Sequence, residues 1–224
     1  MKSFTTLLFV ALAASTPIVD VRQLRGRVGT TATEFTDGGC RDIIMLFARG
    51  STEVGNMGTI CGPPTANGLK EVFGANAVAV EGIDYGALLS TNFLRGGADP
   101  AGIREMQRLI GQAVTQCPDS KLVVGGYSQG AALTHRAVED LPQAQKDAIV
   151  AAFTFGDTQN EQDNGQIPNF PREKTRVICN RGDAVCSGTL TILPPHLDYR
   201  RRAPEAVEFL TQQLQAAGVQ ARKI

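Results

Sequence analysis

Five short apolar runs that alternate with helical stretches leave this chain few architectures to choose from. The runs are "DIIMLFA", "AVAVEGI", "KLVVGG", "IVAAFTF" and "TRVIC". Each is too uniformly apolar for a strand with one wet face, so each predicts a strand buried on both sides. Apolar residues recur at helical spacing over residues 64–73, 100–117, 128–141 and 204–217. Strands separated by helices pair in parallel, because the crossover needs the helix to carry the chain back. The prediction is a three-layer α/β domain with a central, mainly parallel sheet of about five strands. A chain of 224 residues holds one such domain and is too short for two. In open sheets of this kind ligands bind beyond the carboxyl ends of the strands.

One strand end carries a candidate for chemistry. In "KLVVGGYSQGAALTHRAVEDL" the β-favouring Leu122, Val123 and Val124 run into a glycine-rich break and then a helical pattern. Strand, sharp turn and helix would force Ser128 outward, with Gly126 and Gly130 leaving room for close backbone approach, the nucleophile elbow of the α/β-hydrolase fold. A serine in an ordinary glycine turn is the plain alternative. The chain holds two histidines. His135 lies seven residues further along the same helix, about 10 Å up its axis, so it reads as a polar helix residue with no role in the chemistry. His196, in the proline-rich "ILPPHLDY", can be delivered from another element and is the better base. The acid that holds the imidazole should lie between the two in sequence. Asp157 in "FTFGD" and Asp183 in "VICNRGD" each follow an apolar strand and a glycine, and the cysteines around Asp183 favour it without excluding Asp157. Oxyanion donors are expected from the backbone N–H of Gln129 and from Ser51 after the first strand.

Composition narrows the partners. Lysine plus arginine equals aspartate plus glutamate at 22 each, which excludes a basic footprint for nucleic acid and a polybasic membrane anchor. The start, "MKSFTTLLFVALAASTP", reads as a signal peptide over residues 1–14 with cleavage between 13 and 16. Its apolar run is too short to span a bilayer, and no other stretch approaches the ~20 residues required, so a secreted protein without stable membrane insertion is expected. Residues 15–36 read as a flexible pro-segment, with the folded domain over 37–224. Five cysteines in a secreted chain imply two disulfides and one thiol left over, in fifteen possible arrangements. Proximity favours Cys179–Cys186, leaving Cys40 and Cys117 for a long-range tie and Cys61 as a buried free thiol. The local bridge would hold the loop of Asp183. No metal ligand set or cofactor motif stands out.

Taken in order, "ARGSTE", "GGYSQGAAL", "IPNFP", "ICNRGDAVCSGTL" and "PPHL" resemble the fungal cutinases, small secreted serine esterases of the α/β-hydrolase class. The resemblance runs from about Cys40 to the C-terminus. It implies Ser128, Asp183 and His196 as the triad and Ser51 and Gln129 as the oxyanion hole, and it prefers Asp183 to Asp157. It implies the same two disulfides, whereas Cys61 has no counterpart in the common pattern. It implies hydrolysis of cutin, the plant cuticle polyester, and of short-chain soluble esters, by a monomer without a cofactor. The chain after Cys40 is too short for a lid domain, so the nucleophile should face an apolar polymer surface directly. Leu190, Ile192, Leu193 and Leu197 around His196, with Leu88 and Leu89 in the loop placed opposite, are the expected apolar rim. Two alternatives stay open: an esterase that deacetylates xylan with the same triad, and a secreted surface-binding or elicitor protein with an idle site.

Overall fold

The computed structural model of the protein describes residues 26–222. All five apolar runs are strands: β1 (Ile43–Ala48), β2 (Val78–Gly82), β3 (Lys121–Tyr127), β4 (Ile149–Phe155) and β5 (Thr175–Ile178). They form one sheet in the order β2-β1-β3-β4-β5, and every pairing is parallel. The order in which strands are added to the sheet switches sides between β1 and β3, the crevice where such sheets bind ligands.

The helices are α1 (Glu34–Gly38), α2 (Gly62–Phe73), α3 (Pro100–Gln116), α4 (Gln129–Glu139), α5 (Gln143–Ala148) and α6 (Ala203–Ala216). Successive strand residues point to opposite faces, so β1 feeds both cores. Ile44, Leu46 and Ala48 pack with Met106 and Ile110 of α3 and Leu133 of α4. Ile43, Met45 and Phe47 pack with Leu69 of α2 and Phe209 and Leu210 of α6. Burial on both sides is why β1 to β4 are almost continuously apolar; β5, expected to be buried likewise, lies at the sheet edge and is only partly buried, with Arg176 exposed. Among the described residues every helix longer than ten residues lies on the sheet, and no lid domain is inserted.

The two disulfides are Cys40–Cys117 and Cys179–Cys186, and Cys61 is a buried free thiol. Burial raises the Cys61 pKa, with Glu53 adding to it, so the thiol stays protonated and inert. Cys40–Cys117 spans 77 residues and stabilises by roughly 4–5 kcal/mol on loop-closure arithmetic.

The expectation of a flexible segment through residue 36 needs correction for residues 26–36, which belong to the fold. Val28 exchanges two hydrogen bonds with the Asn67 amide and Ala32 two with the Asn56 amide. Thr33 bridges to Glu81 of β2, and Phe35 is 2% exposed in the core. Side-chain amides satisfy this backbone where a ladder would do so elsewhere, so the segment shows no apolar periodicity. The expected signal peptide and the first part of the expected pro-segment lie outside the described residues.

Candidate active site

Ser128 sits at the carboxyl end of β3 and opens α4 with φ 56° and ψ −118°, a conformation that L-residues rarely adopt and that stores strain. Its neighbours make the turn possible. A Cβ on Gly126 would lie 2.0 Å from the Gly130 carbonyl oxygen, and one on Gly130 would lie 2.0 Å from that of Ala48. The Ser128 N–H donates to the Phe155 carbonyl at 2.9 Å, which pins the turn to β4. These contacts lift the side chain out of the sheet's end.

His196 arrives on a 3-10 turn, Pro194–Leu197. Its Nε2 is 3.0 Å from Ser128 Oγ and its Nδ1 2.9 Å from Asp183 Oδ2. An ionised carboxylate only accepts, so Nδ1 carries the proton and Nε2 presents a lone pair to the serine hydroxyl. His196 and Asp183 are buried. Asp183 has further partners: the Tyr199 hydroxyl donates to Oδ2 at 2.6 Å and the Val185 N–H to Oδ1 at 3.0 Å. The Cys179–Cys186 bridge is therefore one of several restraints on this loop.

Four positioning features had no sequence signal strong enough to single them out. Tyr127 stacks on the His196 ring at 5.3 Å and donates its hydroxyl to the His196 carbonyl at 2.7 Å. Tyr199 meets the imidazole edge-on at 6.1 Å; burial first, and then Asp183, raise its pKa, so it stays a donor. Asn180 donates to the carbonyls of Pro195 and Asp198 at 2.8 and 3.1 Å, tying the histidine loop to the acid loop. At Gly156, with φ +50°, a Cβ would lie 2.9 Å from His196 Cε1 and 2.8 Å from Tyr199 Cε2.

Across the cleft, Gln129 begins α4, where backbone N–H groups lack intrahelical partners. Its side-chain amide donates to the Leu88 carbonyl and to Thr91 Oγ1, both at 2.8 Å. Asn92 Nδ2 donates to Ser51 Oγ at 2.9 Å, which occupies an acceptor site of that hydroxyl and leaves its proton free to point at a ligand. The Glu53 carboxylate accepts from the N–H groups of Gly50, Thr59 and Ile60 at 2.8 to 3.0 Å, so the Ser51 loop is braced from below.

The resulting cleft has a volume of about 560 Å³ and is lined by Ser51, Ser128, His196 and a largely apolar wall. Of the expected rim, Leu89, Leu190, Ile192 and Leu197 line it. Leu88 and Leu193 are exposed but lie outside the lining; they contribute backbone carbonyls, to the Gln129 side chain and to the His196 N–H. Phe93, 80% exposed, and Val54 complete the wall.

The sequence model of the cutinase family matches residues 39–214. The chain belongs to the cutinase family. A cutinase of Pyricularia oryzae is 50% identical over 208 residues, 93% of this chain and 96% of that protein. The solved structure of a Trichoderma reesei cutinase with a phosphonate inhibitor superposes with a TM-score of 0.74 at 34% identity, over 87% of this chain and 84% of that one. An acetylxylan esterase shares the fold at a TM-score of 0.61 and 19% identity, covering 78% of this chain and 99% of that one. As a member of the cutinase family the protein is a carboxylic ester hydrolase.

Asp157, the other candidate acid, does not meet His196. It pairs with His135 at 2.8 Å, and His135 is not an idle polar residue on the helix face but fully buried.

Proposed function

We propose that the protein is a secreted esterase that hydrolyses cutin, with Ser128 as nucleophile, His196 as base and Asp183 as its anchoring acid. The observation that carries the reading is the line Ser128–His196–Asp183 at 3.0 and 2.9 Å on the floor of an open apolar cleft. Ser128 Oγ attacks the ester carbonyl carbon while His196 Nε2 takes its proton. The carbonyl oxygen becomes an oxyanion held by the Gln129 N–H and by Ser51. Collapse breaks the ester C–O bond, and the imidazolium returns its proton to the departing alcohol. Water then repeats the sequence on the acyl-enzyme and releases the acid.

The apolar wall supports a fatty polyester over acetylated xylan, because exposed leucines and phenylalanine gain by meeting hydrocarbon and offer sugar hydroxyls no partner. Two disulfides suit an oxidising compartment, and among the described residues no helix is long and apolar enough to cross a membrane. We propose a monomer that works at the polymer surface. The test combines labelling with substrate choice. An alkyl phosphonate should attach once per chain, at Ser128, and abolish hydrolysis, and the enzyme should release hydroxy fatty acids from cutin far faster than acetate from acetylated xylan. Label on another residue overturns the nucleophile, and a preference for xylan overturns the substrate.

The Gly156 contact supplies a further expected outcome. In Gly156→Ala the new methyl pushes on the His196 ring, and a misplacement of about 1 Å should lower kcat on a soluble ester by about a hundredfold. A folded variant with wild-type kcat would show that the imidazole has slack the packing does not suggest.

A further inference from the structure

Behind the cleft, α4 carries a second buried imidazole that ester hydrolysis does not use. His135 Nε2 is 2.8 Å from Asp157 Oδ2, and its Nδ1 is 2.7 Å from Asp163 Oδ2. A neutral imidazole has one N–H and one lone pair, so between two carboxylates it would set lone pair against lone pair on one side. The arrangement calls for an imidazolium with both N–H groups donating. Both carboxylates have further partners: Thr154 donates to Asp157 Oδ2 at 2.7 Å, the Gln159 N–H to Oδ1 at 2.8 Å, and Arg136 pairs with Asp163.

Both carboxylates belong to the segment that backs the proposed catalytic groups. Asp157 follows Gly156, the residue against the His196 ring. Thr158 lines the cleft. Asn160 donates to the Cys186 carbonyl at 2.9 Å, in the loop of Asp183. His135 stands on the helix that begins at Gln129, next to Ser128.

We propose that His135 is a positioning residue: bridging Asp157 and Asp163, it locks the segment behind His196 and Asp183 to the helix that carries the nucleophile. The inference rests on the triad reading above. The charged groups facing the imidazole are Asp157 at the end of β4, Asp163 in the following loop, and Arg136 and Glu139 on α4 itself. Burial opposes its charge, but the two carboxylates outweigh burial and raise its pKa to about 9. A pKa raised in the folded state stabilises fully below the ordinary imidazole value near ~6.5, and that stabilisation is lost as pH rises through about 9. The lock should therefore open in alkali.

The experiment measures kcat and KM on a soluble short-chain ester, and the rate of phosphonate labelling at Ser128, from neutral to strongly alkaline pH. Wild type, His135→Gln and Asp163→Asn are compared, with melting temperatures alongside. At neutral pH His135→Gln should lose about tenfold in kcat with KM within about twofold, and should label Ser128 correspondingly slowly. The wild-type kcat should fall through about pH 9 and converge on that of the variant, whose own profile stays flat. Asp163→Asn, which removes one of the two carboxylates, should move the wild-type fall to lower pH. Parallel profiles, or a His135→Gln variant with wild-type kcat and only a lower melting temperature, overturn the proposal. Should His135→Gln fail to fold, an unshifted fall in Asp163→Asn does the same. Failure of the triad reading is separate and shows in wild type alone, as label away from Ser128.

Discussion

Ser128→Ala should lower kcat for ester hydrolysis at least about a thousandfold while leaving the melting temperature within a few degrees of wild type. The elbow does not depend on the hydroxyl. It is built by the close approaches at Gly126 and Gly130 and by the Ser128 N–H on the Phe155 carbonyl, all of which alanine keeps. Alanine at φ 56° is strained about as much as serine, so the change subtracts the hydroxyl and little else. Water attacking in its place would still meet the oxyanion donors, which sets the residual rate. His196→Ala should cost as much in kcat but also lower the melting temperature, because the 2%-exposed ring fills the space between Tyr127 and Tyr199 and its loss leaves a cavity. Hydrolysis of p-nitrophenyl esters with thermal melts of both variants provides the check. Activity of Ser128→Ala above about one part in a thousand of wild type would remove it as the nucleophile.

Asp183→Asn should cost about a thousandfold or more in kcat, although the side chain is nearly the same size. The carboxylate accepts at both oxygens: Oδ2 from His196 Nδ1 at 2.9 Å and Tyr199 at 2.6 Å, Oδ1 from the Val185 N–H at 3.0 Å. An amide cannot do this in either orientation. With its NH2 at the Oδ2 position it meets the Tyr199 O–H as donor against donor, and it forces the imidazole to place its proton on Nε2, where it consumes the lone pair that the serine hydroxyl needs. Turned over, its NH2 faces the Val185 N–H. Charge is lost as well, so the imidazolium formed during attack has no partner in a buried site. Tyr199→Phe removes only one of the donors and should be milder, about tenfold. Measuring kcat and KM for both variants on one soluble ester separates the cases. An Asp183→Asn enzyme within about tenfold of wild type would mean that the imidazole is oriented by Tyr127 and Asn180 instead.

The His135 cluster and the triad share a lesson about what one dimension can carry. "FTFGD" and "VICNRGD" share strand, glycine and carboxylate; the cysteines around Asp183 favour it, yet they do not decide which aspartate meets which histidine. Asp157 turns toward α4 and reaches His135, while Asp183, in the loop after β5, reaches His196. The choice depends on the faces to which two loops lead, and that is a property of packing. The rim divides in the same way: Leu89 and Leu193 are equally apolar in the sequence, yet one lines the cleft and the other does not.

The sequence by itself determined the sheet, the four long helices and the elbow. Burial on both faces writes continuous apolar runs into β1 to β4, helical spacing marks the crossovers that join those four strands, and the close backbone approach at Ser128 admits only glycine at Gly126 and Gly130. These are local demands, legible within a dozen residues. Tertiary structure alone decided what lies far apart in the chain: that residues 26–36 are held by the amides of Asn56 and Asn67 and by the bridge from Thr33 to β2, that Gly156 makes room for a ring forty residues later, that Tyr199 completes the shell of Asp183, and that His135 is buried between two carboxylates. Each of these is a contact between groups whose separation in sequence carries no periodic signal, so its energy leaves no pattern until the chain has folded.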